Sequence, residues 1–290
     1  MKKNILFIIN PISGGKSKAS FTDLADSCLD HNIFTPKYVF SESVGHAHQL
    51  AANAVAGDTD IVVAVGGDGT INEVASAVEN SGKIMGIIPC GSGNGLARAL
   101  KIRLDRRSAL RRLNELQTVT IDTGSFNDRS FYNMAGIGFD AHISSCFAKI
   151  SKRGLSGYVK TAISEISRYK PEHYTIDIDG TVVERDAFMV CLANSSQFGN
   201  NAHVSPSASL HDGLLDVCII KPFPLYRFPV MGVHMFAKTA HRSRYVEIIR
   251  GKDITIKRAH EGSVHVDGEP LFMGQDIQIK VKPGNLTVIV

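Results

Sequence analysis

The chain lacks a long hydrophobic segment, a cysteine pair and a strong excess of charge, and each absence excludes a class of protein. No stretch reaches the roughly 18 to 20 apolar residues that a transmembrane helix needs. The five cysteines are scattered without a C-x-x-C pair, which argues against a disulfide framework or a thiolate zinc site and is typical of a reducing compartment. With 32 basic and 28 acidic residues, the net charge of +4 is too small to indicate nucleic-acid binding.

Two further features support a globular, cytoplasmic protein. The eleven histidines form no H-x-x-x-H or H-E-x-x-H pattern, so zinc hydrolysis has no support. The amino terminus superficially resembles a signal peptide, but its apolar run, residues 5–9, is too short and ends at Asn10-Pro11. We interpret that run as a first buried strand. The composition, 43% hydrophobic and 21% charged, is that of an ordinary globular protein.

The first part of the chain, residues 1–122, repeats an apolar run, a glycine-bearing loop and a helical pattern. The four runs and the loops that follow them are 4–9 before Ser13-Gly14-Gly15, 38–40 before Gly45, 61–65 before Gly66-Gly67-Asp68-Gly69, and 84–88 before Gly91-Ser92-Gly93-Asn94-Gly95. After the third loop, Ile71, Val74, Ala75 and Val78 share one helix face. This alternation predicts an α/β domain with a doubly wound, largely parallel sheet whose loops bind ligands at the strands' carboxyl ends.

The second part, residues 123–290, changes to period-two alternation after a helical pattern at 156–169. Asp179-Gly180 and Asp267-Gly268 each separate alternating runs, which predicts two β-hairpins. We therefore expect an antiparallel, β-rich, sandwich-like second domain. The apolar stretch 223–236 is interpreted as part of its core.

The glycine-rich loops indicate phosphate binding, because glycine lets the backbone approach a phosphate and helix N-termini stabilise its charge. Two familiar assignments fail. Gly15-Lys16-Ser17 ends like a Walker A motif, but Asn10 stands where the first glycine is required. Gly91-x-Gly93 begins like a dinucleotide fingerprint, but Leu96 occupies the position of the third glycine.

Five elements in order resemble the diacylglycerol kinase-like lipid kinases, which include sphingosine kinases and bacterial soluble lipid kinases. They are Asn10-Pro11-x-Ser13-Gly14, Gly66-Gly67-Asp68-Gly69-Thr70-x-Asn72-Glu73, Gly91-Ser92-Gly93-Asn94 with Ala97-Arg98, Asp212-Gly213-Leu214-Leu215-Asp216, and Asp267-Gly268-Glu269-Pro270. The resemblance covers nearly the whole chain. NAD kinases and phosphofructokinases share the Gly-Gly-Asp-Gly element, so the other four elements make the lipid kinase branch specific. The resemblance implies a fold like that of NAD kinase and phosphofructokinase for the first domain.

The resemblance implies an ATP site in the first domain. Its residues are Asn10, Pro11, Ile12, Ser13, Gly14, Ser41, Gly66, Gly67, Asp68, Gly69, Thr70, Asn72, Glu73 and Ser92. Asp68 is similar to the family's essential aspartate near the phosphates and Mg²⁺, a cation that prefers oxygen ligands. The alternative for Asp68 is a structural helix N-cap.

Two more constellations lie in the second domain. By resemblance, Glu269 corresponds to the catalytic glutamate that accepts the hydroxyl proton; without the resemblance it is an exposed residue after a hairpin turn. Asp267 is either the first residue of that turn or a supporting carboxylate. The resemblance also implies a structural Mg²⁺ held by Asp212 and the carbonyl groups of Ser209 and Leu214, and the alternative is a simple Asp-Gly turn before a strand.

The resulting expectation is an ATP- and Mg²⁺-dependent lipid kinase that phosphorylates a hydroxyl of a membrane lipid such as diacylglycerol. Such an enzyme would contact the inner membrane surface transiently from the cytoplasm. Whether it forms a homodimer is left open. A sphingoid-base kinase is the first alternative, because Asn94-Gly95 replaces the Asn-Asp of many relatives. An NAD kinase-like enzyme and a non-catalytic nucleotide- or lipid-binding protein are the others.

Overall fold

The chain forms two compact units. The computed structural model describes residues 2–15, 20–148 and 155–290, so Lys16 and Ser17 of the rejected Walker A motif lie outside the described residues. The first unit comprises residues 1–121 and 284–290, and the second comprises residues 122–283. The predicted second domain, 123–290, differs from the observed unit at its carboxyl end, because the end of the last strand pairs within the first unit.

The first unit is built on a parallel sheet, as its four apolar runs predict. The strands are β1 (Lys3–Ile9), β2 (Phe34–Phe40), β3 (Ile61–Gly66) and β4 (Ile84–Pro89). They lie in the order β2-β1-β3-β4, and the end of the last strand adds to β4 through Thr287 and Val288. The central strand β3 is buried along its whole length, which explains its unbroken Val/Ile/Ala composition.

Helices follow the strands of this sheet. They are α1 (Phe21–Cys28), α2 (His46–Ala56), α3 (Asp68–Val78), α4 (Gly95–Ala99) and α5 (Arg106–Leu113). A short 3₁₀ turn, Ser13–Gly15, follows β1. Helix α2 packs against α3 and α1 packs against α5. The predicted inner face of α3, with Ile71, Val74, Ala75 and Val78, is completely or almost completely buried.

The second unit is an antiparallel β-sandwich. Its strands are β5 (Thr118–Phe126), which begins in the first unit, β6 (Arg129–Phe131), β7 (Met134–Gly138), β8 (Glu172–Ile178), β9 (Thr181–Ala187), β10 (Met189–Ala193), β11 (Leu215–Ile220), β12 (Val246–Gly251), β13 (Asp253–Arg258), β14 (Gly262–Val266), β15 (Glu269–Met273) and β16 (Asp276–Ile289), which ends in the first unit. One sheet has the order β12-β11-β10-β7-β14-β15, and a second layer contains β16-β13-β8-β9. Both predicted hairpins, β8–β9 and β14–β15, are present.

Two hydrophobic clusters hold this unit together. The inner cluster takes side chains from both layers, such as Ile137 and Val190 from one and Ile176 and Ile254 from the other. The outer cluster covers the opposite face of the six-stranded sheet. Three helices pack on that face: α6 (Phe139–Ala148), α7 (Leu155–Glu165) and α8 (Phe228–Phe236). None of the described helices has the length and hydropathy to cross a bilayer.

The prediction that the apolar stretch 223–236 belongs to the core is wrong for most of its length. Only Met231 in α8 is fully buried, and Phe228 and Met235 are partly buried against the outer cluster. Val230, Val233 and Phe236 are exposed. The reason is geometric: α8 is apolar all round, but it lies on a sheet that covers only one of its sides.

Candidate functional site

Asn10 links the first loop to the third strand and its helix. Its backbone N–H donates to the Val65 carbonyl (3.0 Å), and its amide Nδ2 donates to Thr70 Oγ1 (3.0 Å). Its Oδ1 accepts from the N–H of Ile12 (3.1 Å) and thereby shapes the loop that follows. Asn10 and Thr70 of the predicted ATP site are therefore in direct contact.

Several glycines of this region are required by close backbone contacts. Gly14 has φ +67°, and a Cβ there would lie 2.0 Å from the carbonyl oxygen of Cys90. A Cβ at Gly91 would lie 2.7 Å from the Cα of Gly67, and a Cβ at Gly66 would collide with Thr70. The three loops that follow β1, β3 and β4 are thus packed against one another by their backbones.

Gly69 differs from these glycines because nothing in the described part of the chain requires a glycine there. Among the described residues, a Cβ at Gly69 would meet no atom within 4 Å, its φ is not positive, and the residue is exposed. It belongs to the first turn of α3, whose first hydrogen bond runs from the Ile71 N–H to the Gly67 carbonyl. The N–H groups before Ile71 have no partner within the helix, so this open space is suited to an anion.

Asp68 fastens the third loop to the fourth. Its Oδ2 accepts from the N–H of Asn94 (2.9 Å), and its Oδ1 accepts from the N–H of Gly95 (2.7 Å). The interpretation of Asp68 as a helix N-cap is wrong, since Gly67 is the N-cap of α3 and Asp68 is its first helical residue. The carboxylate therefore has a structural function that the sequence did not indicate.

Glu73 is held in the same manner at the start of α2. Its Oε1 accepts from the N–H of Gly45 (2.9 Å), and its Oε2 accepts from the N–H of Ala47 (3.0 Å). A carboxylate at a helix N-terminus is electrostatically favourable. Asn72, one residue earlier, is half-buried, and Ser41 is buried with its N–H bonded to the Ile9 carbonyl.

The exposed part of this sheet edge is partly apolar. Pro11, Gly14 and Ser92 are exposed, Ser13 is half-buried, and the side chain of Ile12 is 83% exposed. Sequence reasoning missed two more exposed apolar residues in and after β2: Phe40 (44%) and Val44 (94%). An apolar surface beside a helix N-terminus suits a ligand that joins a flat base to a phosphate chain. Phe40 ends the predicted run 38–40 and Val44 follows four residues later, so both stand at the carboxyl end of a predicted strand, where ligands were expected.

In the second unit, Asp267 anchors the β14–β15 hairpin. Asp267 (φ +49°) and Gly268 (φ +84°) both have positive φ, as a type I′ turn requires. The Asp267 carboxylate accepts from the backbone N–H groups of Tyr132 (2.8 Å), Asn133 (2.9 Å) and Met134 (2.8 Å). Asp267 is therefore the first residue of the turn, and its carboxylate holds that turn in place, while the predicted role of a second carboxylate that supports the site stays a prediction.

Glu269 is the first residue of β15 and its side chain is exposed. Within the part of the chain that the structure describes, no hydrogen bond or ion pair occupies its carboxylate. The turn that precedes it is fastened by Asp267, so the backbone of Glu269 is held while its carboxylate is accessible. That combination suits a group that must meet a substrate.

A buried polar group lies behind the same hairpin and was not predicted. His265 Nε2 and Asp140 Oδ2 are 3.0 Å apart, and both side chains are almost completely buried. The Gly268 N–H donates to His265 Nδ1 (3.4 Å), which leaves Nε2 as the ring nitrogen that donates to Asp140. Cys191 donates to the same Asp140 oxygen (2.9 Å), and burial together with this carboxylate raises the pKa of the Cys191 thiol. The 125-residue separation of His265 and Asp140 hides this pair in the sequence.

The residues of the predicted structural Mg²⁺ site share one turn before β11. The Asp212 side chain is exposed, and its Oδ1 accepts from the N–H of Leu214 (3.2 Å), while Ser209 Oγ accepts from the N–H of His211 (3.2 Å). Gly213 (φ +67°) donates to the buried carboxylate of Asp122 (2.7 Å). The oxygen-rich turn fits the donor preference of Mg²⁺, and Asp122 is an additional carboxylate there.

A different group of donors lies between α6 and α7. The potential ligand atoms of His142, Cys146 and Glu165 all lie within 4.8 Å of one another. His142 Nε2 and Glu165 Oε2 are 3.0 Å apart, so a direct hydrogen bond already accounts for this pair. His142 and Cys146 stand at i and i+4, and the H-x-x-x-H pattern missed them because the second residue is a cysteine.

Comparison with known protein families covers almost the whole chain. The model of the diacylglycerol kinase catalytic domain matches residues 4–126. The model of the YegS C-terminal NAD kinase beta sandwich-like domain matches residues 133–290. A protein of Pseudomonas aeruginosa (strain UCBPP-PA14) named "Probable lipid kinase YegS-like" is 31% identical over 84% of this chain and 81% of its own length. The chain belongs to the YegS-like, diacylglycerol kinase-like family of lipid kinases. As a member, it is an ATP-using phosphotransferase with an alcohol group as acceptor.

Solved structures place the fold of this YegS-like chain in the same group. A diacylglycerol kinase from Bacillus anthracis str. Sterne superposes with a TM-score of 0.78 at 20% identity, over 99% of this chain and 96% of that chain. An NAD kinase from Archaeoglobus fulgidus, solved in complex with ATP, superposes with a TM-score of 0.53 at 14% identity, over 100% of this chain and 94% of that chain. At these identities the likeness shows the fold alone. It confirms the predicted α/β domain and β-sandwich.

Proposed function

We propose that this lipid kinase transfers the γ-phosphoryl group of ATP to a hydroxyl of a membrane lipid, with diacylglycerol or a related glycerolipid as the first candidate acceptor. The observation that carries the proposal is the open space at Gly69. It lies over the N-terminus of α3, among loops that other glycines pack tightly together. A phosphate chain is the ligand class that such a helix end binds.

ATP-binding residues come from the loops of the first unit. Asn10 and Thr70 hold the first and third loops together, and the N–H groups at Asp68 and Gly69 meet phosphate oxygens. The exposed side chains of Ile12 and Val44 offer an apolar surface for the base. Mg²⁺, if bound with ATP, would neutralise part of the negative charge of the phosphate chain. Asp68 suits it, because a carboxylate has about four lone-pair positions and two of them accept N–H groups here.

Glu269 of the second unit acts on the acceptor. Its carboxylate accepts a hydrogen bond from the lipid hydroxyl and takes that proton as the hydroxyl oxygen bonds to the γ-phosphorus. The bond from the γ-phosphorus to the β,γ-bridging oxygen breaks at the same time, and ADP leaves with the electron pair. Asp267 holds the turn and thereby orients Glu269.

The choice of lipid rests on family frequency and on one loop. Gly95 brings no carboxylate to the loop after β4, and its N–H is used by Asp68. A carboxylate would attract the amine of a sphingoid base, so this loop gives no electrostatic reason to prefer that substrate. We rank the glycerolipid first and the sphingoid base second.

The experiment supplies γ-labelled ATP and Mg²⁺ with a lipid extract, diacylglycerol, dihydrosphingosine or NAD, and identifies the labelled product. We expect label in a glycerolipid. A kcat/KM for dihydrosphingosine at least tenfold above that for diacylglycerol would reverse the order, label in NAD would establish the NAD kinase alternative, and no turnover with any acceptor would favour a non-catalytic binding protein. A tenfold preference corresponds to about 1.4 kcal/mol in transition-state binding.

We further propose that the turn with Ser209, Asp212 and Leu214 holds a structural Mg²⁺. Its support is the clustering of oxygen donors beside the buried Asp122. In thermal melts, added Mg²⁺ should raise the Tm of the wild type, and Asp212→Ala should remove that rise. Asp276→Ala, at another exposed aspartate of the second unit, is the control. Identical Mg²⁺ dependence in wild type and Asp212→Ala would refute the site.

The cellular setting is part of the same proposal. A kinase of a membrane lipid works from the cytoplasm, peripherally at the inner membrane surface, and contacts that surface transiently. Two statements about partners stay predictions: the protein does not bind nucleic acid, and two copies of it form a homodimer. Fractionation of cells that express the protein, followed by detection in the soluble and membrane fractions with and without added salt, tests the location.

A further inference from the structure

A segment around α8 has exposed apolar side chains that belong neither to the proposed nucleotide site nor to the β14–β15 hairpin. We name residues 221–245 the apolar-basic segment. Its exposed large apolar side chains are Leu225 (51%), Tyr226 (73%), Val230 (41%), Val233 (66%) and Phe236 (50%). On the opposite side of α8, Phe228, Met231 and Met235 pack on the outer cluster. The helix is thus anchored by one face while its other face carries apolar groups toward solvent.

The charge of this segment has one sign. Its 25 positions contain no aspartate or glutamate, although such residues occur throughout the rest of the chain. The basic residues are Lys221, Arg227, Lys238, Arg242 and Arg244. The guanidinium groups of Arg227 and Arg244 lie over the rings of Tyr226 and Tyr245, and Lys238 and Arg242 are exposed. Apolar side chains are therefore flanked by cations at both ends of α8.

We propose that the apolar-basic segment is the surface by which the protein docks on an anionic lipid bilayer. An interfacial helix buries its apolar face at the boundary of headgroups and acyl chains, and basic residues beside it are attracted to anionic lipids. The inference deepens the proposed function and rests on it, because a kinase of a membrane lipid must reach its substrate in the bilayer. The axis of α8 would lie parallel to the membrane surface.

The chemistry of the segment favours a bilayer over a protein partner. Protein interfaces combine apolar cores with directional polar groups. The outer face of α8 offers no such group, since its one polar residue, His234, is half-buried and bonded to Thr239 (2.8 Å). A non-directional apolar surface with cations at its rim is complementary to anionic headgroups over acyl chains.

The test measures sedimentation of the full-length protein with vesicles of phosphatidylcholine alone and of phosphatidylcholine mixed with phosphatidylglycerol. Wild type should bind the mixed vesicles more tightly, and high salt should weaken that binding. Val233→Asp should weaken binding at least about tenfold, and Arg242→Glu about fivefold. The matched controls are Val182→Asp and Lys257→Glu, at an exposed valine and an exposed lysine elsewhere in the second unit, and both should bind like wild type.

Equal vesicle binding by Val233→Asp and wild type would overturn the proposal. A change from dimer to monomer in analytical ultracentrifugation, with vesicle binding unaltered, would overturn it in favour of an interface between two copies. Turnover of a dispersed short-chain diacylglycerol separates this proposal from the proposed function. Val233→Asp should retain that turnover, whereas vesicle binding by a wild-type protein that phosphorylates no lipid would refute the kinase proposal and leave the docking surface standing.

Discussion

Asp68 of the first unit and Asp267 of the second are both held by backbone N–H groups, yet their surroundings differ. Asp68 accepts from Asn94 and Gly95 at the start of α4, a region that we propose contacts the nucleotide. Asp267 accepts from the N–H groups of Tyr132 and Asn133, which precede β7, and of Met134, with which β7 begins. The exposed Glu269 follows Asp267 by two residues. The aspartate of the first unit thus joins two segments of the proposed nucleotide site, whereas the aspartate of the second unit holds a turn in place beside the exposed carboxylate of Glu269.

The largest effect on activity should come from substitution of the exposed carboxylate of Glu269. Glu269→Gln keeps the shape of the side chain but cannot accept a proton, so kcat should fall by about 10²- to 10⁴-fold while ATP affinity is unchanged. Steady-state kinetics and equilibrium nucleotide binding measure the two quantities. Glu184→Gln, at an exposed glutamate of β9, serves as the control. A Glu269→Gln variant with more than about a tenth of wild-type kcat would remove this residue from the role of base.

Substitution of Asp267 and of Asp68 should distinguish an effect on stability alone from an effect on both stability and nucleotide binding. Asp267→Asn should lower the free energy of unfolding by about 3 kcal/mol and Asp68→Asn by about 2 kcal/mol, because three and two backbone N–H groups lose a charged acceptor. Only Asp68→Asn should also weaken Mg²⁺-ATP binding. Urea denaturation and nucleotide titration measure the effects, with the exposed Asp276→Asn as control. Unaltered Mg²⁺ dependence in Asp68→Asn would contradict its role at the metal.

A substitution at Gly69 tests whether this glycine is required by a bound ligand rather than by the fold. Gly69→Ala places a methyl group where the protein has open space, so stability should hold or rise by up to about 1 kcal/mol. ATP affinity should nevertheless fall by about tenfold, or about 1.4 kcal/mol, because the methyl group displaces phosphate. Gly232→Ala in α8 is matched, since a Cβ there also meets no atom within 4 Å. Equal ATP affinity in both variants would contradict a phosphate at Gly69.

The smallest effect concerns a carboxylate held by cationic side chains. Arg185 donates two hydrogen bonds to Glu247, and together with Lys221 it lowers the Glu247 pKa from its usual 4.5 to about 2. A carboxyl group whose folded-state pKa is depressed contributes stability above its unfolded pKa and loses it as the pH falls through the folded value. Glu247→Gln should therefore lose about 1 kcal/mol at neutral pH, since solvent screens the pair. Its deficit should disappear between about pH 4.5 and pH 2.

Urea denaturation of wild type and Glu247→Gln across this pH range measures the deficit. Glu184→Gln provides the control, since its exposed carboxylate lies in β9 of the other layer of the second unit and has no ion pair among the described residues. A deficit that is constant down to pH 2 would show that packing, rather than charge, accounts for the loss.

Local patterns were sufficient for the elements of the fold and for the loops. The buried strand β3 and the inner face of α3 follow from periodicity, and the type I′ hairpin at Asp267-Gly268 follows from two residues that tolerate positive φ. These features depend on neighbours in sequence. They can therefore be predicted from the order of the residues alone.

Long-range partners could not be predicted in the same way. The N–H donors of Asp68 stand 26 and 27 residues away, and the partner of His265 stands 125 residues away. The exposure of α8 is a second example, because an apolar pattern does not say how many sides of a helix the protein covers. The resemblance indicated the residues of the candidate site, which stay a prediction, while the hydrogen bonds around them required the fold.

The last strand has a consequence for how the chain acquires its structure during synthesis. Thr287 and Val288 pair with Ile84 and Met85 of β4, and Val290 donates to the Gln117 carbonyl. The second unit is thus inserted into the first. A ribosome must produce about 160 intervening residues, from 122 to 283, before β4 gains its neighbour. Contacts of such high sequence separation form slowly. The first unit consequently begins to form before the second and is completed after it, because the edge of β4 gains this neighbour only once residues 287 and 288 have been synthesised.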